Sequence, residues 1–231
     1  MKDHDLDAVL RDAPPPPPPP LGGELEAALG ALAPVATRRP GRDFAKVAAL
    51  SLVYGAALVG ILHLRRDMHG VPVWWLVTYG VAWFTGFVAL AALSIIPRRG
   101  SVMPSWRLAG LAAFLVSLGF VTMGLVMEPS SPESAYLTLG TIHHGQFCLE
   151  AGLGVAIVPV VLGALVLRGV LPVGSRWNAA GLGAAGGSLG GLVLHLHCPI
   201  ADRWHLGLVH GGVVLVSALL AAALAPKIID R

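Results

Sequence analysis

Charged and apolar positions separate into blocks along this chain. No Asp, Glu, Lys or Arg occurs from Val47 to Leu64, from Val71 to Pro97, from Leu108 to Met127, from Ala151 to Leu167, from Trp177 to Ala201 or from Trp204 to Pro226. A helix rises about 1.5 Å per residue, so roughly 20 apolar residues cross a hydrocarbon core of about 30 Å. The blocks predict membrane-spanning helices near 44–64, 73–96, 107–127, 146–167, 177–197 and 205–225. Gly70 and Pro72, Pro97 and Gly100, Pro129 and Pro132, Gly169 and Pro172, and Pro199 punctuate the gaps between them. The expected fold is all-α, a polytopic bundle of six transmembrane helices. Residues 1–43 form a short segment before it, 44–226 the membrane domain and 227–231 a tail.

Composition agrees with this pattern. The chain of 231 residues is 55% hydrophobic and 13% charged, whereas a soluble domain carries about a quarter charged residues. The basic residues set an orientation. Thirteen lie in the N-terminal segment, the second and fourth loops and the C-terminal tail; Arg65, Arg66 and Arg203 are the three on the other side. The positive-inside rule then places both termini in the cytoplasm. The net charge of +3 follows from this bias and requires no direct nucleic-acid binding. The opening Met-Lys-Asp-His-Asp, followed by the prolines from Pro14 to Pro20, has no apolar core before a cleavage site and does not read as a signal peptide.

The fifth span is crowded with small residues, and Gly183, Gly187 and Gly191 repeat at helical spacing. Such a face admits a neighbouring helix closely, either inside the bundle or in a homo-oligomer joined through span five.

Candidate chemistry gathers on the side away from the termini. His63, His69, His143, His144, His195, His197, His205 and His210 fall there, with Cys148 and Cys198. Counting along spans four and five brings both cysteines to one membrane boundary. His144 and Cys148 share a helical face, and so do His143 and Glu150. Three readings stay open: interfacial packing, a Cys148–Cys198 disulfide in an oxidising compartment, or a metal or redox-sensing cluster. Thiolate with imidazole suits a Zn or Cu ion. The candidate ligands are His144, Cys148, His197, Cys198 and His205, with His143, Glu150, Asp202 and His210 around them. Glu150 counts because an ionisable residue within a span is a functional candidate. No Ser-His-Asp set, phosphate-binding glycine loop or HExxH motif occurs, so an enzyme is not expected. A small transporter or metal-handling membrane protein is the rival, against which the Ala, Leu, Val and Gly of the inner half-spans weigh.

The N-terminal segment reads as two short amphipathic helices separated by a stiff polyproline spacer. Leu6, Val9 and Leu10 form the apolar face of the first, and Leu25, Leu29 and Leu32 that of the second. Helices this short are marginal alone and would fold into a partner's groove. The excess of acids in residues 1–37 favours a basic partner, such as a DNA-binding protein.

The run Thr-Ile-His-His-Gly-Gln-Phe-Cys-Leu-Glu-Ala-Gly opens span four. Pro159, Leu-Arg-Gly at 167–169, the glycine-rich span, Leu-His-Leu-His-Cys-Pro-Ile-Ala-Asp-Arg-Trp-His at 194–205 and His210-Gly211 follow. Over residues 138–212 this resembles the NrsF-type six-span membrane anti-sigma factors, negative regulators of sigma-F-like factors, together with CarR-like proteins. Ile200 and Ala201 stand before Asp202, where such sequences often have an acid directly after His-Cys-Pro. The resemblance implies a multi-pass protein of the bacterial inner membrane acting in stress-response transcription. Its N-terminal segment would hold an extracytoplasmic-function sigma factor and release it on a signal, with the family's cysteines at Cys148 and Cys198.

Overall fold

A computed structural model describes residues 38–97, 103–127, 139–170 and 174–230, plus five isolated positions between 22 and 31; for 139–144 it describes backbone only. The apolar faces expected to bind a partner, Leu6, Val9 and Leu10 with Leu25, Leu29 and Leu32, lie outside the described residues. From Arg39 to Arg231 the chain forms one compact unit.

The described secondary structure is helical throughout. Helices α1 (Pro40–Leu62), α2 (Val73–Ile95), α3 (Ser105–Val126), α4 (Leu139–Leu167) and α5 (Ser175–His197) are followed by a π-helical segment, His205–Gly211, that runs into α6 (Gly212–Leu224). A last turn, α7 (Pro226–Ile229), ends the chain. Six of these stretches are long and apolar enough to cross a membrane, as the charge-free blocks predict. Boundaries move by a few residues for local reasons. Pro40 occupies the first turn of α1, where its missing N–H costs nothing and its fixed φ suits a helix. Pro226 similarly opens α7.

Helix α5 is the centre of the bundle. Lipid tails are as apolar as leucine, so helices in a bilayer associate through close packing of small residues. The glycines of α5 provide it. A Cβ at Gly183 would strike Ser217 and Ala221 of α6, one at Gly186 or Gly190 the backbone of α4, and one at Gly191 the Trp83 ring of α2. The Ser217 hydroxyl donates to the Gly183 carbonyl at 2.7 Å, and Trp83 stacks on Phe120 with ring centroids 3.7 Å apart. The glycine face considered for a homo-oligomer is therefore occupied within the chain.

At the end of the bundle where α2 begins and α3 finishes, Trp75 donates its indole N–H to the Met127 carbonyl at 2.9 Å. The Tyr79 hydroxyl donates to the Met123 carbonyl at 2.7 Å. The same end carries the close of α5.

Candidate functional site

Three chain features converge at this end of the bundle. The span in α4 opens at Gly145, three residues before Cys148; α5 stops at His197, one residue before Cys198; and the sixth span opens at His205. Pro199 follows Cys198 and cannot donate a backbone N–H, so the helix ends there. The short turn that follows is fixed by Asp202, whose carboxylate accepts the backbone N–H groups of Trp204 at 3.0 Å and His205 at 3.1 Å. Capping the first turn in this way aims His205 back at the cysteines.

The Cys148 and Cys198 Sγ atoms are 3.6 Å apart, and both residues are free thiols. The His205 Nε2 lies 3.4 Å from the Cys198 sulfur. His210 completes the group: one ligand atom each from Cys148, Cys198, His205 and His210 lies within 4.8 Å of all the others, and all four residues are buried. The His205 and His210 rings meet edge to face at 4.9 Å. Leu194 and Val213 pack beside the sulfurs.

The π-helical geometry creates the histidine pair. Residues five apart on an α-helix point about 140° away from each other at 3.6 residues per turn. The wider i to i+5 turn of a π-helix returns the fifth residue to nearly the same side. His205 and His210 are five apart and span this segment.

Neither ring nitrogen of His210 has a hydrogen-bond partner. A buried polar group without a partner is costly, so a ring with two open nitrogens beside two thiols is suited to a ligand. Two thiols and two imidazoles in a closed, four-donor set match the chemistry of structural Zn²⁺, and Cu⁺ shares the preference for sulfur.

The remaining sequence candidates fall elsewhere or outside the described side chains. His197 is adjacent to Cys198 and turns to another face, with its Nδ1 2.9 Å from the His63 carbonyl. Glu150, two residues beyond Cys148, is exposed; it lines an apolar groove of about 510 Å³ between α4 and α6. Asp202 supports His205 as described. The side chains of His143 and His144 are not among those described.

Two residues acquire roles that sequence reading did not single out. His195 is buried, and its Nε2 donates to the Leu76 carbonyl at 3.0 Å. Arg65 is buried and reaches across to the end of α5. The available signal for Arg65 was its place among only three basic residues on that side of the chain.

A family model described as NrsF, negative regulator of sigma F, matches residues 30–230. No curated protein and no solved structure matches the chain.

Proposed function

Because the chain belongs to the NrsF family of negative regulators of sigma F, we propose that it is a membrane-bound anti-sigma factor with a thiol-based sensor. Its N-terminal segment, residues 1–43, holds an extracytoplasmic-function sigma factor at the bacterial inner membrane. The leucine faces at Leu6, Val9 and Leu10 and at Leu25, Leu29 and Leu32 make the contact. The split of thirteen basic residues against three supports cytoplasmic termini, which puts the cysteine end of the bundle on the opposite side. The family is one of regulators rather than enzymes.

The observation that carries the sensor reading is the buried set of Cys148, Cys198, His205 and His210, with His210 unpartnered. These four residues would hold a Zn²⁺ or Cu⁺ ion. Such an ion supplies a charge that favours thiolate over thiol, so its uptake expels protons. Asp202 keeps His205 oriented, and the apolar packing of Leu194 and Val213 excludes water from the sulfurs.

A second reading follows from the 3.6 Å between the sulfurs. A two-electron oxidant would join them, the two thiols losing two electrons and two protons as the S–S bond forms. Both readings make the cysteines interdependent.

The test is co-purification of a sigma factor with the full chain from membranes. The sigma factor is expected to be retained, released on treatment with Zn²⁺ or the thiol oxidant diamide, and retained under both treatments by Cys148→Ser and by Cys198→Ser. Release that is the same in wild type and both serine variants would overturn the sensor reading. Absence of any retained sigma factor would overturn the partner.

A further inference from the structure

The cysteine site lies at one end of the bundle, while the segment proposed to hold the sigma factor precedes α1. Some element must connect them, and the loop between α1 and α2 has the required contacts. It begins at His63, directly after α1, and its residues are stitched to the turn that carries Cys198. The Arg65 backbone N–H donates to the Leu196 carbonyl at 2.8 Å. Its guanidinium donates to the His195 carbonyl at 3.4 Å and the Pro199 carbonyl at 3.3 Å. The His63 carbonyl accepts from His197 Nδ1 at 2.9 Å.

These contacts answer a specific deficit. The last carbonyls of a helix lack intrahelical partners, and the His195 carbonyl would ordinarily receive the N–H four residues later. That residue is Pro199, which has none. Arg65 supplies the missing donor, and its positive charge suits the negative end of the helix dipole. The guanidinium is held in turn by Asp67, at 2.8 and 2.7 Å to the two carboxylate oxygens, and lies 5.6 Å from the centre of the Trp75 ring. Its side chain is 1% exposed. Burial pushes the Asp67 carboxyl up, but the hydrogen bond and charge of Arg65 outweigh this and hold it below the usual carboxylate range.

Helix α1 is built to respond. Its buried residues are Val47, Ser51 and Gly55, and none follows Gly55. The residues after Gly55, nearest the loop, therefore meet the bundle through partly buried Leu58, Val59 and Leu62 and through the Arg65 strap. His63, at the junction, has φ 66° and ψ 155°, a conformation that non-glycine residues hold only where neighbouring contacts impose it. The bond from His197 is such a contact.

We propose that Arg65 is the positioning residue that couples the Cys148/Cys198 site to α1, and through α1 to the N-terminal segment. The proposal rests on the sensor reading above. A change in the Cys198 turn shifts the carbonyls of His195, Leu196 and Pro199. Arg65 follows them, and α1 moves with it because only His63 and Leu64 separate the end of the helix from Arg65. Packed helices tend to occupy discrete arrangements, so a small shift at the strap is delivered to the other end of α1.

The experiment uses the full chain in cells carrying a sigma-dependent reporter, with Zn²⁺ in one arm and diamide in the other. Diamide takes two electrons and two protons from the thiols and becomes the hydrazine. Site engagement is read by maleimide labelling of Cys148 and Cys198, after denaturation without reductant in the diamide arm and as a slowed labelling rate of the folded chain in the Zn²⁺ arm, and output by the reporter. An effector commonly changes affinity at a coupled site about 5- to 150-fold. Arg65→Gln is expected to keep thiol protection and to lose the reporter response to within about twofold of the untreated level, against that range. A second variant inserts two glycines between His63 and Leu64. It leaves the Arg65 contacts in place, slackens the link to α1, and should behave in the same way. Full reporter response in the insertion variant overturns the proposal, as does full response in Arg65→Gln with its thiols protected. If Arg65→Gln loses thiol protection through misfolding, the insertion variant alone decides between the same two outcomes. Wild-type thiols that neither probe protects would overturn the sensor reading itself and the coupling with it, an outcome distinct from protected thiols with unaltered coupling.

Discussion

Helices α1 and α5 are each 23 residues long and have opposite surroundings. Within the chain, 83% of the α5 span is buried, against 17% of α1. The more buried helix is the less apolar one, because a helix ringed by protein has no need of lipid-facing leucines. It needs small side chains that let α2, α4 and α6 approach its backbone. Helix α1 presents Leu50, Val53 and Ile61 outward and keeps few fixed contacts. The difference separates a central axis, which positions the cysteine turn at its end, from a peripheral helix that turns most of its surface outward.

Substitutions that treat the two helices alike would break this comparison. The largest effect is expected at the α5 contact from α2. Trp83→Ala removes the ring stacked on Phe120 and packed at Gly191, and should destabilise the folded chain by about 3–5 kcal/mol. Leu50→Ala on α1, at 55% exposed, should change stability by less than about 0.5 kcal/mol. Thermal unfolding in one detergent measures both; equal losses would deny α5 its role as the axis.

Next in size is Gly187→Leu. A Cβ there would meet Ser217 and the Val214 backbone, and overpacking of this kind costs about 1–3 kcal/mol. Gly60→Leu on α1 has open space around it and should be nearly neutral in the same assay.

Ser217→Ala, which removes the hydroxyl bond to Gly183, should cost only about 0.6 kcal/mol, the average for interhelical hydrogen bonds in a bilayer. A loss several times larger would mean that polar contacts, rather than glycine packing, hold α5 and α6 together.

The smallest expected effect concerns the strap. Asp67 titrates below its ordinary value of 3.8. A carboxylate with a lowered folded-state pKa contributes stability above its unfolded pKa and loses it only as pH falls through the folded value. Hydrogen exchange at the Arg65 amide, corrected for intrinsic exchange rates, should therefore keep its protection as pH is lowered to the ordinary carboxylate value of 3.8. Half-loss of protection at that value would mean that Arg65 does not hold the Asp67 carboxyl below its ordinary range.

Much of this architecture was legible in the sequence because the membrane imposes a coarse requirement. A charge-free run of sufficient length must span, and the predicted second and fifth spans, 73–96 and 177–197, meet α2 at 73–95 and α5 at 175–197. The candidate site was legible in kind. Two cysteines counted to one boundary, at a fixed rise per residue, were expected at one end of the bundle, and their sulfurs meet there. Which histidines face the sulfurs was not legible. His197 sits beside Cys198 in sequence but turns to His63, while His210, expected only around the cluster, faces into it.

By itself, then, the sequence determined six apolar spans, the crowding of small residues in the fifth, and the family to which the chain belongs. These depend on composition and on local order along one dimension. Tertiary structure alone decided that the glycine face is spent inside the bundle, that a π-helical turn brings His205 and His210 to one side, and that Arg65 caps α5 from a loop 130 residues away. Each depends on side-chain direction at a contact between distant segments, and direction changes by about 100° with every residue along a helix.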